Sequence, residues 1–256
     1  MSTRAGIPCG TGPTLKQTTY SVIGHGRMGT ALARALSVVP TSGRGSDGDG
    51  ADAVLLCVPD AEIAAAAACV APGRLVGHVS GATTLAPLAP HEAFSIHPLM
   101  TVPADGVASF AGARCAVAGS TPRALETAHD LARRLGMEAV EIDDDDRAAY
   151  HAAASIASNF LVTLEGAAER LLATTGAGRD LLVPLVRASV ENWAALGAEH
   201  ALTGPIARGD EATVALQREA VAERAPELLD LFDALAAATR DLAGAPGTAD
   251  HRLAVG

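Results

Sequence analysis

Apolar residues in the first half of the chain come in short unbroken runs rather than in alternation. "YSVI" (20–23), "AVLLCV" (53–58), "RLVGHV" (74–79), "AFSIH" (93–97), "ARCAVAG" (113–119) and "MEAVEI" (137–142) stand out. Runs of this length, bounded by glycine, proline or polar residues, predict strands buried on both faces. Between them the apolar period lengthens, predicting helices at 28–36, over an alanine-rich stretch after Asp60, and at 122–135. A further short strand is expected at 38–41. Strands alternating with helices predict an α/β fold with a mostly parallel sheet.

Beyond residue 142 the pattern changes. Helical periodicity runs from the "DDDD" at 143–146 to about 174, then over 179–196, 210–222 and 226–242, without a strand pattern. The expected organisation is a loose tail at 1–17, an α/β domain at 18–142 and an all-helical domain at 143–256. Four adjacent carboxylates suit a helix N-terminus, where negative charge is favourable, better than a metal site, which they could not all face.

Composition narrows the function classes. Hydrophobic residues make up 49% of the chain but aromatics only 3%, so the core must be built from Ala, Val and Leu. A net charge of −10 argues against a nucleic-acid partner, which needs a basic surface. No run approaches the roughly 18 apolar residues of a membrane span, and the first residues lack an apolar signal region. Cys9, Cys57, Cys69 and Cys115 are scattered without ligand spacing, which predicts reduced thiols, a cytoplasmic location and no metal. Lys16 is the only lysine, so a catalytic lysine in the folded body is excluded.

"GHGRMG" places Gly24, Gly26 and Gly29 between the first strand and the first helix. That context turns a weak motif into a dinucleotide fingerprint. Gly24 allows the tight turn, Gly26 the approach of a pyrophosphate, and Gly29 close helix–strand packing, with His25, Arg27 and Met28 completing the loop. For the adenosine ribose, Asp47 and Asp49 have the offset of an NAD site, whereas Ser42 and Arg44 would hold the 2′-phosphate of NADP, the favoured cofactor. Val58, Pro59 and Asp60, with Ser80 and Gly81, follow two strands at the sheet's carboxyl edge, where ligands bind. Asp60 has a second reading as a helix N-cap.

Three polar stretches remain. His97 follows an apolar strand directly and is either a structural histidine or a proton-transfer group. "YHAAASIASN" spaces His151, Ser155 and Asn159 four apart, on one helix face, with Tyr150 beside them. In "ALTGPIARGD", Thr203, Arg208 and Asp210 are candidates for holding substrate oxygens, or form a turn with Asp210 as a cap.

Together, "GHGRMGTALARAL", "VPD", "HVSGA", "HPL", "YHAAASIASN" and "ALTGPIARGD" resemble the Rossmann-like DUF2520 proteins over residues 20 to 242. That family is grouped with 6-phosphogluconate dehydrogenase, ketopantoate reductase, pyrroline-5-carboxylate reductase and prephenate dehydrogenase. The resemblance implies a Rossmann domain, a helical domain that often dimerises, and an NADP-linked oxidoreductase. The resemblance itself implies no substrate; the fingerprint and the polar clusters at the expected cleft edges lead to a small keto-, hydroxy- or imino-acid held in an interdomain cleft. His97, in an "HP" context like that of prephenate dehydrogenase, becomes the candidate for proton transfer, with His151, Ser155 and Asn159 on the facing wall. The stretch after Leu36 is several residues shorter than the family pattern, which touches the ribose contact. Alternatives are a non-catalytic dinucleotide sensor or scaffold, and hydride exchange between a nicotinamide and a deazaflavin.

Overall fold

The computed structural model describes residues 18–39, 48 and 50–244. Six strands form one sheet in sequence order: β1 Tyr20–Ile23, β2 Ala53–Leu56, β3 Leu75–His78, β4 Glu92–Pro98, β5 Arg114–Gly119 and β6 Glu138–Glu141. The first four are parallel; β5 runs antiparallel to β4, and β6 parallels β5. The expected mostly parallel sheet is present, with one reversal that the apolar runs do not encode.

Helices cover both faces. Tyr20, Val22, Leu55, Phe94 and Ile96 point to one side, where they pack with α1 (Arg27–Leu36) and α3 (Pro122–Leu135). Ile23, Val54, Leu56, Val76 and Ala93 point to the other, against α2 (Ile63–Ala67) and Leu88. Helix α3 has the bounds its sequence predicts. The Thr121 hydroxyl accepts from the Ala124 N–H at 3.1 Å, Pro122 takes the first turn, and Gly136 ends the helix at φ +73°.

Two expectations are corrected. Val38 and Val39 are not in a strand, and the rest of the expected 38–41 strand lies outside the described residues. The alanine-rich helix after Asp60 is a 3-10 turn, Asp60–Glu62, followed by only five α-helical residues.

The chain divides into two compact units, one ending at Ser155 and the other starting at Ile156. This lies later than the expected change at 142/143. The acidic run does open a helix, as a 3-10 turn (Asp144–Asp146) before α4 (Arg147–Ser155). Yet α4 is tied to the sheet, because Arg147 donates to the Ser95 hydroxyl on β4. The second unit begins with a π turn, Ile156–Phe160, and continues through α5 (Leu161–Ala173), α6 (Val183–Leu196), α7 (Ala198–Ala201), α8 (Pro205–Arg208), α9 (Glu211–Arg224) and α10 (Leu229–Gly244). Ala167, Val221, Ala225 and Leu228 form its small core. Bidentate pairs from Arg218 to Asp233 and from Arg240 to Glu211 join α9 to α10.

Strand packing allows one direct test. Gly77 and Phe94 are register partners, and a Cβ at position 77 would overlap the Phe94 ring. Gly77→Ala is expected to destabilise the protein by about 1–3 kcal/mol, and Phe94→Leu in the same chain to recover part of that loss. Equal denaturation midpoints for wild type and Gly77→Ala would contradict this packing.

Candidate active site

The glycine turn has the geometry of a phosphate cradle. Gly24 adopts φ +125°, and a Cβ there would overlap the Cys57 carbonyl of the neighbouring strand end. A Cβ on Gly29 would strike the Gly24 carbonyl, so both glycines are required by packing. Gly26 differs. It is exposed, caps the N-terminus of α1, and has no protein atom within 4 Å of a Cβ position. Its backbone faces open space at a helix end whose first N–H groups lack intrahelical partners. His25 and Arg27 are exposed beside it and Met28 is half-buried. Arg27 reaches the Val102 carbonyl at 3.5 Å, so the segment after His97 passes the start of α1.

The second carboxyl-edge loop hangs on a buried histidine. His78 is wholly inaccessible; its Nδ1 accepts from the Ser80 N–H at 3.2 Å. That fixes the tautomer, so Nε2–H donates to the Thr84 carbonyl at 3.1 Å. The Ser80 hydroxyl donates to Asp60 at 2.8 Å and accepts from the N–H groups of Ala82 and Thr83. Asp60 makes no side-chain helix cap, so its N-cap reading is replaced by this bond. Val58 is half-buried against the α2 side of the core, and Pro59 is exposed.

This loop presents Gly81 to the histidines. A Cβ there would lie 2.7 Å from His151 Cδ2 and 2.7 Å from His97 Cε1, so the absent side chain lets both rings approach. His97 Nδ1 and the Tyr150 hydroxyl are hydrogen-bonded at 2.8 Å, with the rings edge to face. His151 packs edge-on against His97, with ring centroids 6.0 Å apart. Three predicted residues from β4 and α4 thus meet.

What brings them together is a residue the sequence reading passed over. On the α2 side of β3 and β4, the apolar series Val76 and Ala93 gives way to His78, Ser95 and His97. Arg147 covers this polar end. It is 1% exposed, its Nε donates to Asp144 at 2.7 Å, and its Nη2 donates to Ser95. Asp144 also accepts from the Leu85 N–H at 3.0 Å. The available signal was an Asp three residues before an Arg at a helix start.

Burial drives both histidines towards neutrality. Desolvation, reinforced by His151 and Arg147, lowers the His97 pKa to about 4, against an opposing pull from Asp60. His78 falls to about 4 for the same leading reason. Burial raises the Tyr150 phenol above its ordinary value, while Arg147 acts to lower it. Among the described residues no three His, Cys, Asp or Glu side chains are grouped to hold a metal.

The other predicted residues lie elsewhere. Ser155 is half-buried at the end of α4, and Asn159 is exposed in the π turn, so regular α-helical spacing does not carry through from His151 to Asn159. In the second unit Thr203 and Arg208 are exposed. Asp210 caps α9, accepting from the N–H and hydroxyl of Thr213, which hold its carboxyl below the usual range. Ser42, Arg44, Asp47 and Asp49 lie outside the described residues.

The buried, neutral His78 has a pH consequence. Unfolded, His78 takes up a proton near 6.5; folded, only near 4. Between these values the unfolded chain binds more protons, so stability falls as pH drops through that window. For a wholly buried group the effect is on the order of 3 kcal/mol. His78→Gln, which keeps a donor for Thr84, is expected to flatten the decline of stability measured by urea unfolding from pH 7 to pH 5. An unchanged slope would contradict the buried neutral imidazole.

No curated protein matches the chain in sequence. Among solved structures, a candidate NADP oxidoreductase from Bacteroides fragilis aligns with a TM-score of 0.76 and 18% identity, covering 88% of this chain and 98% of that one. A Thermotoga maritima protein aligns at 0.71 and 21% identity, over 91% and 99%. The reductive aminase of Aspergillus terreus, in complex with NADPH and ethyl levulinate, gives 0.62 and 16%, over 92% and 98%. At these identities the likeness establishes a shared fold, a Rossmann-like domain followed by helices. Residues 113–239 match the family model described as "Domain of unknown function (DUF2520)".

Proposed function

We propose that this chain is an NAD(P)-dependent oxidoreductase acting on a small keto-, hydroxy- or imino-acid, with NADP as the favoured cofactor. The observation carrying this reading is Gly26. Its lack of a side chain serves no packing purpose within the protein, yet it sits on an exposed α1 N-terminus. A pyrophosphate approaching that backbone gives the glycine its reason. The NADPH-bound Aspergillus terreus aminase supports the choice of cofactor.

The bound nicotinamide would supply or accept the hydride. The protein's own part is to orient the substrate and handle the proton at the carboxyl edge of the sheet. Tyr150, His97 and His151 are grouped there, and Gly81 keeps their faces close. A neutral imidazole accepts a hydrogen bond or donates one without adding charge. Ser155, Asn159, Thr203, Arg208 and Asp210 stay candidates for substrate contact. No described helix is long and apolar enough to cross a membrane, and Cys57, Cys69 and Cys115 are free thiols, which supports a cytoplasmic location.

A homodimer through the helical unit belongs to the same reading. None of the side chains of α6 is buried; Leu185, Trp193 and Leu196 are each more than half exposed. An isolated helix of this length is marginal in water, and a cluster of exposed large apolar side chains is normally covered by a partner.

Two outcomes test these proposals. Gly26→Val is expected to leave the thermal midpoint nearly unchanged while weakening NADPH binding, followed by nucleotide fluorescence, by more than about tenfold. Equal affinity in wild type and variant would remove the cofactor site. In light scattering the wild type is expected to weigh as a dimer and Leu185→Asp with Leu196→Asp as a monomer; a wild-type monomer at tens of micromolar would refute the interface.

A further inference from the structure

Within the Tyr150–His97–His151 group the oxidoreductase reading leaves open which atom exchanges the proton with substrate. We propose that it is the Tyr150 hydroxyl, with His97 relaying behind it and Arg147 positioned beneath both. The assignment rests on that reading and goes beyond it by naming the acid.

Geometry is the first support. Tyr150 is half-buried, and its hydroxyl lies 2.8 Å from His97 Nδ1. When Nδ1–H donates to the phenol oxygen, the phenol's own hydrogen is left for a substrate oxygen or nitrogen. His151 instead packs edge-on against His97 and stands beside the pair. Arg147 lies one turn before Tyr150 on α4 and reaches Ser95, which precedes His97 by two residues on the same face of β4. One buried guanidinium is therefore anchored to both elements that carry the pair.

Electrostatics selects between the two acids. An imidazolium adds a second positive charge near Arg147, whereas a tyrosine that loses its proton becomes an anion that the same charge stabilises. With the His97 pKa at about 4, only roughly one molecule in a thousand carries an imidazolium at neutral pH. Other ionisable groups face the pair from the elements around it. They are His78 and Asp60 on the β3 side, Cys115 on β5, and Asp144, Arg147 and His151 from α4 and its lead-in. The nearest cation, Arg147, disfavours the histidine acid and favours the tyrosine.

In the reductive direction a bound reduced nicotinamide would supply the hydride to the substrate carbon. The Tyr150 O–H bond breaks, its proton passes to the substrate oxygen or nitrogen, and the electron pair remains on the phenol oxygen. His97 Nδ1–H then returns a proton to that oxygen while Nε2 takes one from solvent, which restores the phenol and leaves the imidazole as its Nε2–H tautomer. Exchange of the ring proton through solvent returns it to the Nδ1–H form for the next turnover. Oxidation runs through the same atoms in reverse.

The test uses the full chain, NADPH, and a panel of 2-oxo acids and cyclic imines. Tyr150→Phe is expected to bind NADPH within about twofold of wild type and to lose about a hundredfold or more in turnover of any substrate found. His97→Asn is expected to lose less and to change the solvent deuterium isotope effect. Only two tyrosines exist, Tyr20 and Tyr150. In a Tyr20→Phe background the ionisation of Tyr150 can therefore be read alone by ultraviolet titration. It is expected to move to higher pH in Arg147→Met and to be restored in Arg147→Lys. Turnover by Tyr150→Phe within about threefold of wild type, or a Tyr150 ionisation indifferent to Arg147→Met, overturns the tyrosine assignment alone. A wild type that fails to bind NADPH, or oxidises it with no member of the panel, overturns the oxidoreductase reading instead.

Discussion

A buried guanidinium organises the carboxyl edge of the sheet. Arg147 is almost wholly withdrawn from solvent, and a lone charge there would cost several kcal/mol. It is kept by a pairing with Asp144 and a bond to Ser95, and Asp144 is itself held by the Leu85 N–H. The acidic run, the loop after β3, strand β4 and helix α4 are thereby coupled. Removing one partner leaves the other charge or hydroxyl exposed to an apolar surround, so the arrangement resists partial opening. Tyr150 and His151 follow Arg147 by three and four residues, which sets them over His97.

The same charge shapes the chemistry available around it. His78 and His97 share the face that Arg147 covers, and both are held neutral by burial with the guanidinium adding to the effect. They then divide by hydrogen bonding. His78 spends both ring nitrogens on backbone groups and becomes a strut for the Ser80–Thr84 loop. His97 spends Nδ1 on a tyrosine that is only half-buried. One imidazole is structural and the other is poised beside an ionisable hydroxyl, although both end strands of similar apolar character.

Much of this was legible in the sequence where a local rule applied. Strands β1 to β5 follow from apolar runs, whereas the run at 137–142 gives an edge strand, β6, whose side chains are largely exposed. Helix α3 follows from Thr121, Pro122 and Gly136, and the glycine turn from its place between strand and helix. His97, Tyr150 and His151 were singled out from residue type and spacing, and they meet. Arg147 and Ser95 were missed because their meaning lies in a contact across about fifty residues of sequence, which periodicity does not encode. The antiparallel β5 was hidden for a similar reason, since an apolar run carries no direction. The π turn at Ile156–Phe160 broke a spacing argument that assumed uniform α-helix.

The absence of lysine from the described residues gives the arginine a distinct meaning. A buried lysine lowers its pKa readily and can itself trade a proton, whereas a guanidinium holds its charge at any physiological pH. Placing a deeply buried charge of the carboxyl edge on Arg147 therefore separates two jobs that a lysine would combine. The fixed charge sets the field, and a neighbouring hydroxyl moves the proton. A tyrosine suits that partnership because its deprotonated form is an anion, which the field stabilises, and because an imidazole at 2.8 Å can refill it. A histidine acid in the same place would have to form against the field. The constraint that fastens α4 to β4 is thus also the one that decides which side chain on α4 is chemically useful.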